Sequence, residues 1–232
     1  MRFFYLIVLF SLLTFALQSQ QLIPVASSDE PGSRYLQQAR QYALVFNGRE
    51  HEKYPIHIEN HPWLVNPEFT RGTLVYRGIV YPNLAMKVDL YRNELVISSD
   101  DAPFSIVADP ALVDSVRLHN LQLVYRQPIE GELPGGYYVL IHQGKTRLLM
   151  NYELSLRDLV EDGRLVTRFE TQKNFWLLSG SETFRIKKYY DLTNHFDTSR
   201  NQLRAFINSN QLNFRRNPEQ TLTLLLQHLD PQ

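Results

Sequence analysis

The sequence has no cysteine. That excludes a disulfide framework, a thiolate metal centre, a cysteine nucleophile and anchoring through a lipidated cysteine. It also carries no net charge, since 24 basic side chains balance 24 acidic ones. No overall field draws a polyanion, so nucleic-acid binding has no electrostatic footprint. The Asn-x-Ser/Thr acceptor pattern is missing although asparagine is plentiful. With the lack of cysteine, this favours a bacterial envelope over a eukaryotic secretory pathway.

Long apolar runs are scarce too. The longest occupies residues 3–17 and falls short of the roughly 20 residues that a helix needs to cross a bilayer. Arg2 precedes this run and a polar exit, Gln18 to Gln21, follows it, which is the layout of a secretory signal peptide. The expected organisation is a signal peptide over 1–19, then a flexible leader with a short helix over 20–50. A β-rich body over 51–190 and a helical segment over 191–232 packed on that body complete it.

Hydrophobic periodicity supplies the fold class. Met86, Val88 and Leu90 alternate with polar neighbours, and Leu95 and Ile97 resume the pattern after Arg92-Asn93. A two-residue turn there would pair Leu90 with Leu95 and Val88 with Ile97. A turn at Gly144-Lys145 would pair Ile141 with Leu148 and Val139 with Met150. A turn at Gly180-Ser181 would pair Leu177 with Phe184 and Phe175 with Ile186. Both glycines suit a type II′ hairpin, which needs a positive φ at that place. Further strands are expected at 73–76, 104–108, 116–125 and 165–170, with Asp162-Gly163 as another tight turn. Adjacent aromatics such as Tyr137-Tyr138 and Phe175-Trp176 must point to opposite faces of a strand. At the C-terminus, Asp197-Thr198 can cap a helix carrying Leu203, Phe206 and Ile207. Asn217-Pro218-Glu219-Gln220 starts another, carrying Leu222, Leu225, Leu226 and Leu229. The expectation is an α+β fold, mainly β: an antiparallel meander of hairpins, sandwich, barrel-like or curled, with two C-terminal helices.

Motifs for chemistry fail at specific positions. His57, Glu59 and His61 are the densest ligand-capable set and the candidate metal ligands. Two rings spaced as His57 and His61 are would need a helix to share a face, and Pro55 and Pro62 flank the segment. A zinc-protease pattern starting at His51-Glu52 meets Pro55 where its second His belongs. Gly144-Lys145-Thr146 ends like a phosphate-binding loop, but Val139 stands at the first Gly and a strand follows. Ser179 and Ser181 lack the flanking glycines of a nucleophile elbow. Asp100-Asp101 and Glu130-x-Glu132 show no convergence across a cleft, so no catalytic residue and no cofactor emerges.

Three stretches carry a resemblance: residues 72–97 (GTLVYRGIVYPNLAMKVDLYRNELVI), 136–149 (GYYVLIHQGKTRLL) and 203–217 (LRAFINSNQLNFRRN). Together they resemble a family of exported proteins of Bacteroidetes to which no activity is assigned. The resemblance implies a Gram-negative envelope, with the periplasm as the place, and brings no catalytic residue with it.

The expectation is an exported, soluble, non-enzymatic binding or scaffold protein whose partner is an envelope protein or glycan. A hydrolase assembled from dispersed His and carboxylates is the alternative. A small outer-membrane barrel is disfavoured by the helical C-terminus. Cell fractionation with N-terminal sequencing checks export. The processed chain should be extracytoplasmic and begin near Gln18 or Ser19; a cytosolic chain retaining Met1 contradicts this.

Overall fold

The structure, a computed structural model, describes residues 44–55, 57–98, 104–130 and 132–230. The expected signal peptide, the expected leader with all but the end of its short helix, and Asp100-Asp101 lie outside the described residues. Among the described residues eleven strands form one sheet. They are β1 (Arg49–Glu50), β2 (Thr70–Tyr76), β3 (Ile79–Asp89), β4 (Glu94–Ser98), β5 (Ser105–Val107), β6 (Val113–Leu118), β7 (Leu121–Arg126), β8 (Gly136–Gln143), β9 (Thr146–Glu161), β10 (Arg164–Ser179) and β11 (Glu182–Ile186). Two helices close the chain, α1 (Arg200–Ser209) and α2 (Pro218–Leu229).

The strand order is β1-β5-β4-β3-β2-β6-β7-β8-β9-β10-β11, with antiparallel pairing throughout. It is a meander with two connections between strands that are not neighbours, from the edge strand β1 to β2 and from β5 to β6, which lies beside β2. The sheet does not close into a barrel, because β1 and β11 remain its two edges. The α+β, mainly β expectation therefore holds in its open form.

Side-chain alternation divides the sheet into two faces. Leu74, Met86, Val88, Leu95, Ile97, Leu123, Val139, Met150 and Leu177 point to the face that carries the main core. Leu203 and Ile207 of α1 and Leu222, Leu225 and Leu226 of α2 join the same core, so the helices cover this face. Asn217 caps α2 by accepting from the Gln220 N–H, with Pro218 in the first turn as the sequence predicts. The cap of α1 is Ser199 rather than Asp197 or Thr198. Its hydroxyl accepts from the Gln202 N–H, and the Gln202 side chain accepts in return from the Ser199 N–H. The opposite face holds a smaller cluster of Leu133, Tyr138, Leu149 and Trp176. Tyr137 and Phe175 lie in the main core while Tyr138 and Trp176 lie in the second, as the adjacent-aromatic argument requires.

Turn chemistry explains which registers the sequence predicts. Phe175–Ile186 and Leu177–Phe184 pair as expected, and Gly180 has φ 60°. Asp162 and Gly163 both have positive φ, which fits a type I′ turn between β9 and β10. The β3–β4 hairpin differs: Val88 pairs with Leu95 and Met86 with Ile97, two residues away from the expected register. The Asp89 carboxylate accepts from the N–H groups of Tyr91 and Arg92, and Asn93 has φ 61°, so a four-residue turn forms instead. A shift of two preserves the face of every side chain, which hydrophobic alternation alone cannot detect. The stretch 116–125 is two strands, not one, with a reversal at His119, whose φ is 54°.

The β8–β9 hairpin departs more. Val139 pairs with Met150, but a bulge after Leu140 sets His142, not Ile141, opposite Leu148. Gly144 is not in the left-handed region, so it does not make a type II′ turn. It supplies space instead: a Cβ there would lie 2.8 Å from Asp230 Oδ2 and 2.8 Å from His142 Nε2. Asp230, 3% exposed at the end of α2, accepts from the Thr146 N–H and from Thr146 Oγ1, each at 2.7 Å. The His142 ring lies 3.4 Å away. This latch ties the last helix to the hairpin. It is not a nucleophilic triad, because the Thr146 hydroxyl donates to the carboxylate and not to the imidazole.

Burial alone would raise the Asp230 pKa, but the Thr146 and His142 contacts and the Lys145 N–H hold it below the usual carboxylate value. A depressed carboxylate stabilises the fold above the ordinary carboxylate pKa, and that stability is lost as pH falls through the folded value. Asp230→Ala should cost about 1–3 kcal/mol at neutral pH by leaving Thr146 unsatisfied. Denaturant melts as a function of pH check this, and an acid-side slope unchanged in the variant contradicts it.

Candidate functional site

β9 and β10 are each 16 residues long, roughly 50 Å at the strand rise. The rest of the sheet covers only about the inner third of each. β8 pairs with β9 from Gln143–Arg147 to Val139–Met150 and then parts from it, while Gly136, Tyr137 and Tyr138 still pair with β7. β11 leaves β10 at the Phe175–Ile186 pair. Beyond these points β9 and β10 continue as a two-stranded ribbon from Asn151–Asn174 to Glu161–Arg164. Where β8 and β9 part, a notch of about 400 Å³ opens.

The notch has an assembled polar wall. Trp176 donates its indole N–H to Asn151 Oδ1 at 3.0 Å. Asn174, 6% exposed, donates to Glu153 at 3.0 Å and accepts from the Arg185 guanidinium at 2.6 Å. The Asn174 amide thus joins a carboxylate to a cation, and each keeps further hydrogen-bonding capacity for a ligand. Tyr91 and Tyr152 supply aromatic surface. Burial raises the Tyr152 phenol above its ordinary pKa against the lowering effect of Lys173, so it is a neutral hydroxyl at neutral pH. The far side is the β3–β4 turn, where Asn93 donates to the Gly135 carbonyl at 3.0 Å and accepts from the Tyr137 N–H at 2.8 Å. On the other side of Asn93 lies a second cavity of about 580 Å³, lined by Arg49, Arg92, Glu94, Asp109 and Tyr125 among others.

Behind the turn, Asp89 is fully buried. Its Oδ2 accepts from the Tyr54 hydroxyl at 2.7 Å and lies 3.2 Å from His51 Nε2. Burial raises the Tyr54 phenol strongly, and its hydrogen bond to Asp89 adds to this. Tyr54 and Tyr91 both pack on Phe169 of β10, with ring centroids at 5.6 Å and 5.1 Å. The cluster therefore holds the β3–β4 turn against the ribbon. His51 enters it as a packing and hydrogen-bonding residue, spaced 3.9 Å from Glu94.

The candidate metal ligands lie elsewhere. His57, Glu59 and His61 are all exposed on the segment that runs along the outer edge of β10. His61 Nδ1 accepts from the Trp63 N–H at 3.3 Å, and the Glu59 N–H donates to the Thr167 carbonyl at 3.0 Å. Among the described residues no group of three or more His, Cys, Asp or Glu is placed to hold a metal ion. Sequence reasoning missed the notch because Asn151, Asn174 and Arg185 converge only through strand register. The Asn at the end of a hairpin turn was the one visible sign of Asn93. Asn93→Gly, which keeps the positive φ, should cost about 1–3 kcal/mol by stranding the Tyr137 N–H. Chemical denaturation checks this; an unchanged midpoint contradicts the bridge.

The chain matches no protein-family model, no curated protein and no solved structure.

Proposed function

We propose that this chain is an exported, non-enzymatic binding protein of a bacterial envelope, and that its ligand enters the notch between β8 and β9. The observation that carries this reading is the Glu153–Asn174–Arg185 chain beside Trp176. These groups are fixed by one another before any ligand arrives, which lowers the ordering cost of binding. The lining residues include no nucleophile set against a base, the arrangement that covalent hydrolysis needs. The leader at the N-terminus and the resemblance to exported Bacteroidetes proteins support the envelope as the location, with a protein or glycan as partner.

Trp176 makes the reading testable. With Trp63→Phe as background, its fluorescence should respond to one class of probe, either short oligosaccharides or eight-residue peptides. Arg185→Ala, an exposed position, should weaken that response at least tenfold, while the His57→Ala/His61→Ala double variant should retain it. Chemical turnover of the probe, or binding indifferent to Arg185, overturns the proposal.

A further inference from the structure

The ribbon has two edges, and they are treated differently. On the β10 side Thr167 gives its carbonyl to the Glu59 N–H, and Ile58 forms a parallel bridge with Thr167. Phe169 donates its N–H to Asn60 Oδ1 at 2.7 Å and accepts from Asn60 Nδ2 at 2.9 Å. The outward groups of Thr167 and Phe169 on this edge thus have partners in an extended piece of the same chain. In an antiparallel pair, residues whose backbone groups point away from each other sit directly opposite. Asp158 faces Thr167 and Leu156 faces Phe169. Leu156 and Asp158 therefore point their N–H and C=O groups out on the β9 side, and by alternation so do Leu154 and Val160. Among the described residues, nothing pairs with these groups beyond the notch.

We propose that this edge of β9, from Leu154 to Val160, takes up an extended peptide of a partner protein as an added antiparallel strand. The inference rests on the binding reading of the notch and specifies its ligand. A strand laid antiparallel on β9 continues the line of β8, so its end enters the notch. Its backbone meets donors and acceptors at strand spacing, which only another extended chain can match. The neighbouring side chains set its pattern. Leu154, Leu156 and Val160 lie on one face of the ribbon, with Val160 75% and its cross-strand partner Leu165 72% exposed. Glu153, Arg157 and Glu161 lie on the other. The incoming segment therefore alternates apolar with polar residues. The other edge of the same ribbon already takes an extended segment of this chain, through the parallel Ile58–Thr167 bridge and the Asn60 side chain, which argues for a peptide over a saccharide.

The test uses the full processed protein and synthetic eight-residue peptides alternating Val or Leu with Thr, Lys or Glu, followed by calorimetry. Each active peptide is compared with a version N-methylated at alternate amides, which keeps its side chains and removes half of its backbone donors. The expected result is binding that falls at least tenfold when the methylated amides are the alternate set that faces β9, and little change when they are the other set. Leu154→Pro, which deletes an outward N–H without touching a β9–β10 hydrogen bond, should give a similar loss. Equal affinity for the methylated peptides overturns strand addition and leaves notch binding standing. A Trp176 response to oligosaccharides with no peptide binding does the same. If neither probe class binds, both the inference and the reading beneath it fail.

Discussion

A strand edge is a row of backbone donors and acceptors that must find partners or stay in water. The architecture of this protein follows from how it meets that constraint along β9 and β10. The inner thirds of the two strands are flanked by β8 and β11 and bury Leu148, Met150, Phe175 and Leu177 in the main core. The outer two thirds run on with no further strand of the sheet beside them among the described residues. A free two-stranded ribbon is marginal in water. Here it is propped on one side by the 58–60 segment and on its apolar face by Phe169 against Tyr54 and Tyr91. Ion pairs such as Arg157–Glu170, at 3.2 Å, cross its polar face but are exposed and contribute little.

Short polar side chains, Asp89 and Asp230 buried and Asn93 half-buried, tie the junctions that this design requires. Asp89 fixes the β3–β4 turn and anchors Tyr54, which reaches the ribbon. Asn93 ties the same turn to the start of β8. Asp230 ties α2 to the β8–β9 turn. Each is a short polar side chain that satisfies backbone or hydroxyl donors between elements distant in sequence. Each is costly to remove because its partners are left in a dry environment. The notch sits between two of these ties, so its walls are held by the fold rather than by a ligand.

How much of this was legible in the sequence depended on range. Alternation of Val139, Ile141 and Leu148 and of Leu177 and Phe184 revealed the hairpins, and Asn217-Pro218 revealed the last helix. Local rules also carried Gly180. They failed at Gly144, whose role is space for Asp230 from the far end of the chain, and at the Asp89 turn, where a two-residue slip leaves the hydrophobic faces unchanged. The length of the ribbon was only partly visible. Polar residues on both strands between Asn151 and Asn174 hide a strand that is not packed on a core. The polar wall of the notch was invisible for a related reason. Asn151, Glu153, Asn174 and Arg185 are unremarkable singly, and only the pairing of three strands aligns them. The His57, Glu59 and His61 cluster stood out in composition yet lies exposed beside the edge of β10.

The account stands on the β9 edge being open to solvent at alternate residues. Amide hydrogen exchange resolved by residue tests this most directly. Leu154, Leu156, Asp158 and Val160 should exchange quickly while Ser155, Arg157 and Leu159 between them are protected. Uniform slow exchange along β9 would mean that the edge is already paired, and would contradict the account.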